Sequence, residues 1–232
     1  MKVVILAGGY GTRISEYTKT IPKPMIQLNG KPIIEYIINH YISYGFKNFY
    51  IALGYKGNII KNYFRNYHNK NIKINLINTG LKTMTGGRLK RLKKFLKNET
   101  FLATYGDGLS NVNLQKLIKF HFDNKKLVTI TAVRPPARFG TIKFKKNFVS
   151  YFREKSNLDE GWINGGFFVM NSKFLNFIKD DDTLLEKEPF EKLTKMKQLT
   201  GFKHKGFWQC MDTLRDKEIL EKKIKEKKNI DS

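Results

Sequence analysis

The stretch Val3–Arg13, VVILAGGYGTR, decides how the rest of the chain is read. Val3, Val4, Ile5 and Leu6 form a short apolar run rich in β-branched side chains, which predicts a buried strand. The run stops at Ala7-Gly8-Gly9, where side chains all but vanish. Gly8, Gly9 and Gly11 allow backbone N–H groups to crowd around something that comes close. Arg13 follows, and Lys23 sits inside Pro22-Lys23-Pro24. A strand feeding a glycine loop, backed by two cations, is the layout of a phosphate-gripping site. The loop matches neither common phosphate motif. No Gly-Lys-Ser/Thr closes it, and Gly9-Tyr10-Gly11 is followed by Thr12-Arg13-Ile14 without a third glycine. A tight turn with spare glycine is the plain alternative.

Outward from this loop, strand and helix patterns alternate. Ile33, Ile34, Ile37, Ile38, Tyr41 and Ile42 fall at steps of three and four and predict one helical face, with Pro32 before it and Gly45 after it. Phe49–Leu53 predicts a second buried strand ending at Gly54, and a helix over Asn58–Arg65 follows. Ile72, Ile74 and Leu76 alternate with polar residues, as in a half-exposed or edge strand. A second glycine-bearing loop, Asn78–Arg88, runs into a helix carrying Leu89, Leu92, Phe95 and Leu96. Thr85 is the expected N-cap there. That helix start is either a second anion site or an ordinary capped end.

Phe101–Tyr105 is another apolar strand, ending at Gly106-Asp107-Gly108. The alternation argues for an α/β fold with a mostly parallel sheet. In such sheets ligands sit beyond the carboxyl ends of the strands. Asp107 there is either a Mg²⁺ ligand or the acid of an Asx turn. Leu127–Val133 is a further strand, and beyond about residue 135 short alternating segments, Thr141–Phe144 and Phe148–Phe152, suggest an antiparallel extension holding a second substrate. Gly165-Gly166, inside the run Trp162–Met170, signals either close approach of a ligand or a bulge. Helices are expected near Lys173–Ile178 and Glu188–Met196, and a charged helix over Leu214–Lys228. Asp212 reads locally as the N-cap of that last helix.

Composition bounds the function. The chain has 232 residues, is 41% hydrophobic and carries one cysteine, so a packed single domain without an intramolecular disulfide is expected. The apolar N-terminal run is too short for a signal peptide and nothing reaches the length of a membrane helix, so a soluble cytoplasmic protein with no membrane partner is expected. The net charge of +24 would suit an anionic partner, but the lysines are spread along the chain, so no nucleic-acid partner is expected. A basic nucleic-acid or anionic-surface binding protein remains the non-enzymatic alternative. His40, His68, His121 and His204 show no zinc spacing, and Cys210 beside Met211 reads as packing.

LAGGYGTR with Pro22-Lys23-Pro24 resembles the signature of sugar-1-phosphate nucleotidylyltransferases. Thr83-Met84-Thr85-Gly86-Gly87-Arg88-Leu89-Lys90-Arg91 resembles the glucose-1-phosphate cytidylyltransferase branch of that family. So do Tyr105-Gly106-Asp107-Gly108, Ile163–Phe168, Gly206-Phe207-Trp208-Gln209 and Met211-Asp212-Thr213. The resemblance implies an α/β, nucleotide-diphospho-sugar transferase (Rossmann-like) fold over 1–232, with a mixed, mostly parallel sheet flanked by helices. The nucleotide would be held by about 1–134 and the sugar phosphate by about 135–232. It implies Mg²⁺-dependent conversion of CTP and a sugar 1-phosphate, glucose 1-phosphate foremost, to CDP-sugar and pyrophosphate for surface-polysaccharide synthesis.

By the same resemblance, Leu6, Ala7, Gly8, Gly9, Tyr10, Gly11, Thr12, Arg13, Lys23, Thr83, Arg88 and Gly106 would hold the nucleotide. Lys155, Asn164 and Gly165 would face the sugar phosphate. Asp107 and Asp212 would ligate Mg²⁺, and with Arg13 and Lys23 they would carry the catalysis. The residue types suit the reaction: the nucleophile is already an anionic phosphate oxygen, so cations and alignment matter more than a base. The chain departs from the branch in a short Tyr67–Thr79 region, in Cys210 where proline is usual, and in Ser156 after Glu154-Lys155. The first departure leaves the phospho-acceptor and a homo-oligomeric arrangement open, with another sugar phosphate or a phosphonate as the alternative.

Overall fold

The computed structural model describes residues 1–67, 69, 71–136, 141–153 and 161–230. The chain starts with β1 (Val3–Ala7), then α1 (Ser15–Thr18), the two-residue strands β2 (Gln27–Leu28) and β3 (Lys31–Pro32), and α2 (Ile33–Ile42). It continues through β4 (Asn48–Leu53), α3 (Gly57–Arg65), β5 (Lys73–Asn78), α4 (Thr85–Arg91), β6 (Thr100–Tyr105), β7 (Gly108–Ser110), α5 (Leu114–Asn124) and β8 (Val128–Val133). The remainder is β9 (Thr141–Lys145), β10 (Phe148–Arg153), β11 (Ile163–Asn171), α6 (Glu188–Lys195), β12 (Leu199–Lys203), β13 (Trp208–Cys210) and α7 (Leu214–Ile230).

Seven strands form one sheet in the order β12-β8-β11-β6-β1-β4-β5. β1 pairs parallel with both β4 and β6, and β5 and β12 add parallel at the two edges. β11 alone runs against its neighbours, β6 and β8. The mostly parallel sheet expected from the alternation is therefore present, and it is mixed, as the resemblance implied. β1 is buried along its whole length because both faces are covered. Val3 and Ile5 point into a core with α2, α3, α5 and Leu220 of α7. Val4 and Leu6 point into a second core with Leu89, Leu92, Leu96, Phe174, Phe190 and Leu193.

Local expectations hold or fail for identifiable reasons. The pattern Ile33–Tyr41 gives α2, with Pro32 as its N-cap residue and Gly45 at φ 83° just beyond its end. β5 is the outer strand, in keeping with its alternating pattern. Residues Ser172–Phe177 form a 3₁₀ helix instead of an α-helix. Thr85 is not the N-cap of α4: Met84 holds that position, and the Thr85 hydroxyl instead accepts from Leu185 N and donates to Glu186. The helix start is no anion site either. Met84 N donates to Asp181 O, and Gly86 N and Gly87 N donate to Thr183 O. A Cβ on Gly86 or Gly87 would lie 2.7 Å from Thr183 O or 2.5 Å from Asp181 Cα, so these glycines exist to admit the 181–183 loop.

The β11 glycines have a comparable explanation. The register against β8 shifts between Asn164 and Phe168, the bulge reading of this run. Gly166 adopts φ 76°, and a Cβ there would sit 2.4 Å from Tyr105 Cδ2. One on Gly165 would meet Val133 Cγ1 at 2.8 Å.

Candidate active site

β1 and β6 are neighbours whose chains leave in opposite directions across the sheet, β1 toward β4 and β6 toward β11. Their carboxyl ends thus open a crevice at a topological switch point, where ligands bind in open α/β sheets. The first glycine loop leaves β1 there, and Gly106-Asp107 leaves β6 there. Leu6 O accepts from Gly106 N at 3.0 Å, which ties the two exits together. A Cβ on Gly106 would sit 3.0 Å from Pro24 Cγ, so glycine lets the Pro22-Lys23-Pro24 turn close against β6.

Within the loop, Gly9, Tyr10 and Thr12 are exposed, and Gly11 holds a left-handed φ of 65° that starts the Thr12–Ile14 turn. Tyr10 packs on Tyr55 with ring centroids 5.1 Å apart. Gly8 is buried, and its carbonyl accepts from Tyr55 N at 3.0 Å and Arg88 Nη2 at 2.9 Å. A Cβ on Gly8 would collide with the Arg88 guanidinium at 2.2 Å.

Asp107 and Asp212 lie at opposite ends of the chain, and a small antiparallel ladder joins them. β7 pairs with β13, Gly108 opposite Cys210, and Met211 N donates to Asp107 O at 2.9 Å. Both carboxylates meet on one atom: Lys23 Nζ is 2.5 Å from Asp107 Oδ2 and 2.6 Å from Asp212 Oδ1. Arg13 Nη1 reaches Asp212 Oδ2 at 2.5 Å from a side chain that is 72% exposed. Burial pulls the Lys23 ammonium's pKa down, but Asp107 and Asp212 outweigh it and hold it above its usual value. Burial likewise opposes the Asp212 charge, and Lys23 and then Arg13 overcome it, leaving the carboxyl below its usual value.

Asp212 is not a helix cap. Thr213 and Asp216 form the capping box of α7: Thr213 Oγ1 accepts from Asp216 N at 3.2 Å, and Asp216 Oδ2 accepts from Thr213 N at 2.9 Å. Asp216 also takes Asp212 N at 3.1 Å. The cap therefore fixes the Asp212 backbone and leaves its carboxylate to the crevice.

Arg88 lies behind the loop, 4% exposed. Its guanidinium donates to Thr79 Oγ1 and Gly80 O at 2.8 Å each, to Gly8 O, and to Leu53 O at 3.2 Å. It splints the ends of β1, β4 and β5 together and faces their carbonyls, where the resemblance implied a nucleotide contact. Thr83 is buried beside it, against Gly80.

On the other side of Asp107, Asn164 Nδ2 lies 3.3 Å from Tyr105 Oη, and its Oδ1 accepts from Gly166 N at 3.0 Å. Gly165 O accepts from Trp208 Nε1 at 2.8 Å. Lys155, with Glu154 and Ser156, lies outside the described residues. Cys210 Sγ is 3.4 Å from Asp212 Oδ2; burial, then the Asp212 and Asp107 charges, push the thiol up to about 12, so it is no nucleophile near neutral pH.

A family model, Nucleotidyl transferase, matches residues 2–216. The chain belongs to the nucleotidyl transferase family. It is 44% identical to a glucose-1-phosphate cytidylyltransferase of Salmonella typhimurium over 95% of each chain. It is 40% identical to a probable glucose-1-phosphate cytidylyltransferase of Bacillus subtilis over 93% of each. Among solved structures, HddC from Yersinia pseudotuberculosis complexed with GMP-PN superposes with a TM-score of 0.77 at 25% identity, covering 96% of this chain and 99% of that one.

Four groups of this nucleotidyl transferase, Arg13, Lys23, Asp107 and Asp212, thus form a cluster with two positive and two negative charges. A triphosphate entering a balanced cluster brings several negative charges and needs a further cation. Two convergent carboxylates are what Mg²⁺ uses when substrate phosphates and water complete its shell. Among the described residues no group of three or more His, Cys, Asp or Glu side chains could hold a metal ion. The partners that sequence reasoning missed are Thr79, Tyr55 and Glu186; Trp208 stood in a motif of the resemblance without a role of its own. Glu186 accepts from Tyr105 Oη and Thr85 Oγ1, joining α4 to the Asn164 corner. Burial, then Glu186, hold the Tyr105 phenol well above its usual value. Gly54 hinted at Tyr55, because a strand end with glycine lies beside the first loop; Glu186 has no local signal.

Proposed function

We propose that this nucleotidyl transferase moves a cytidylyl group from CTP to a sugar 1-phosphate, glucose 1-phosphate foremost, and releases pyrophosphate. The observation that carries it is the convergence of Asp107 and Asp212 on Lys23 at the β1/β6 crevice. The choice of CTP and glucose follows the Salmonella and Bacillus relatives. In this reading residues 1–134, with Asp212 from the far end, hold the nucleotide, and 135–232 hold the sugar phosphate.

A phosphate oxygen of the sugar 1-phosphate attacks the α-phosphorus of CTP. The bond from that phosphorus to the oxygen leading to the β-phosphorus breaks, and pyrophosphate leaves with the electron pair. The nucleophile is already an anion, so no base is required and the histidines are idle. The barrier lies in bringing two anions in line.

Gly9, Tyr10 and Thr12, the exposed residues of the loop, face the nucleotide, with the half-buried Gly11 between them. Arg13 swings from Asp212 to the phosphates, its long exposed side chain free to do so. Lys23 keeps the two carboxylates together and balances charge beneath them. Asp107 and Asp212 would hold Mg²⁺, which when bound would supply charge neutralisation and polarisation at the transferring phosphoryl group. Arg88 acts through Gly8, as a positioning residue. Asn164 and the Gly165 backbone, fixed by Tyr105 and Trp208, shape the acceptor side; by the resemblance Lys155 would bind the sugar phosphate.

The test is pyrophosphate release from CTP and glucose 1-phosphate with and without Mg²⁺, in wild type and in Asp107→Asn and Asp212→Asn. Chelating the metal is expected to abolish turnover, and each substitution to lower it by about 10²-fold or more, since metal placement supplies several kcal/mol. Wild-type activity in either variant would remove that residue from the metal.

A further inference from the structure

A line of hydrogen-bonding groups runs from the start of α4 to the acceptor side of the site. Thr85 Oγ1 accepts from Leu185 N at 2.9 Å and donates its one hydrogen to Glu186 Oε2 at 2.8 Å. Glu186 Oε1 accepts from Tyr105 Oη. Asn164 Nδ2 lies 3.3 Å from Tyr105 Oη, and Asn164 Oδ1 lies 3.0 Å from Gly166 N.

Donor and acceptor capacity allows this line one arrangement. A backbone N–H can only donate, so the Asn164 oxygen faces Gly166 and its nitrogen faces Tyr105. The amide nitrogen also only donates, so the phenol oxygen accepts there and gives its single hydrogen to Glu186. A carboxylate only accepts, which closes the line. Tyr105 cannot turn aside: its ring meets Phe168 edge-on at 5.5 Å, and a Cβ on Gly166 would lie 2.4 Å from Tyr105 Cδ2. Leu185, fully buried, anchors Glu186 along the chain.

One Nδ2 hydrogen of Asn164 goes to Tyr105. Among the described residues the other meets no acceptor. From this geometry we infer that Glu186 is a positioning residue: through Tyr105 it turns the Asn164 amide so that an N–H, rather than a carbonyl, is offered to an oxygen of the sugar 1-phosphate. The inference rests on the acceptor side proposed above and deepens it. Without the Glu186 carboxylate the phenol hydrogen can swing toward Asn164, which favours the flipped amide and sets an NH₂ against Gly166 N. The two amide orientations then compete.

The experiment follows the Asn164 side-chain amide by ¹⁵N NMR on the full chain, without substrate, beside steady-state kinetics. The signal is assigned by its loss in Asn164→Asp. Glu186→Leu and Tyr105→Phe should shift it, and Glu186→Gln, whose carbonyl can take the place of Oε1, should not. In kinetics Glu186→Leu should raise the KM for glucose 1-phosphate about tenfold, the weight of one hydrogen bond, and leave the KM for CTP within about twofold. Glu186→Gln should recover most of that loss. Asn164→Asp, the same shape with an anion in place of the N–H, should raise the KM for glucose 1-phosphate about 100-fold or more. An Asn164 signal indifferent to Glu186→Leu and Tyr105→Phe overturns the inference. So does an equal rise of both KM values in Glu186→Leu, the mark of a general structural defect, or an unchanged KM in Asn164→Asp. A wild type that releases no pyrophosphate would count against the proposed reaction, while the Asn164 signal would still decide the role of Glu186.

Discussion

Replacing Arg88 by methionine should weaken the fold and the nucleotide site together. The guanidinium makes three hydrogen bonds of 2.8–2.9 Å, to Thr79 Oγ1, Gly80 O and Gly8 O, in a 4% exposed position. Each bond to a charged donor contributes roughly 1.5 kcal/mol net, so the set is worth about 4–5 kcal/mol. Methionine keeps much of the volume and removes the cost of burying a cation, which returns part of that sum. The net loss should be about 3 kcal/mol. For a chain of this size that is a fall in Tm of about 6–12 °C. Gly8 O keeps Tyr55 N as a donor, so the loop should loosen rather than collapse. Thermal denaturation and steady-state kinetics on the same preparation are the assay. A lower Tm with a raised KM for CTP is the expected pair. An unchanged Tm with a KM raised by about 100-fold would mean that Arg88 grips the nucleotide itself, and would refute its role as a splint.

Two further outcomes follow from the other end of the site. Asp216→Ala removes the carboxylate that serves Thr213 N, Thr213 Oγ1, Asp212 N and Gln209 Nε2, so it should cost about 2 kcal/mol or more and lower turnover by freeing the Asp212 backbone; stability loss with full activity would separate the capping box from the site. Asp212 has its folded pKa below the usual 3.8, so its ionised form stabilises the fold above that value and the contribution is lost as the pH falls through the folded value. Lys23 is raised above 10.5, so its contribution is complete below that and is lost as the pH rises through the folded value. Urea midpoints of wild type and Asp212→Asn should therefore differ at neutral pH and converge in acid below the usual carboxyl range; a constant gap down to the lowest pH measured would contradict the pairing.

The fold was legible because its signals are local. Val3–Leu6, Phe49–Leu53 and Phe101–Tyr105 are continuous apolar runs, and only strands covered on both faces read that way. Glycine and charge carried the site only as far as the first loop, Arg13 and Lys23; the resemblance added Asp107 and Asp212, and these four side chains do meet in the structure. What misled was competition for the same residue type. Asp212 precedes a helix, but Thr213 is the better-placed cap, and its partner Asp216 lies three residues on. Gly86, Gly87, Gly165 and Gly166 signalled close approach, and the approaching groups are Asp181, Thr183, Val133 and Tyr105 of the chain itself. Glycine reports that something is near, never what it is. Arg88 was given to the nucleotide site by the resemblance alone; its burial depends on Gly8 and Gly54, where a Cβ would meet the guanidinium at 2.2 and 2.5 Å and which only the folded chain brings around it.

The most direct test is pyrophosphate release from CTP, UTP, dTTP and GTP, each offered with Mg²⁺ and glucose 1-phosphate. Release with CTP, exceeding the other three nucleotides by at least about tenfold in kcat/KM, is the predicted result. Release with GTP or another nucleotide in preference to CTP would contradict the cytidylyl assignment, and no release with any of these nucleotides and a panel of sugar 1-phosphates would contradict the reaction itself.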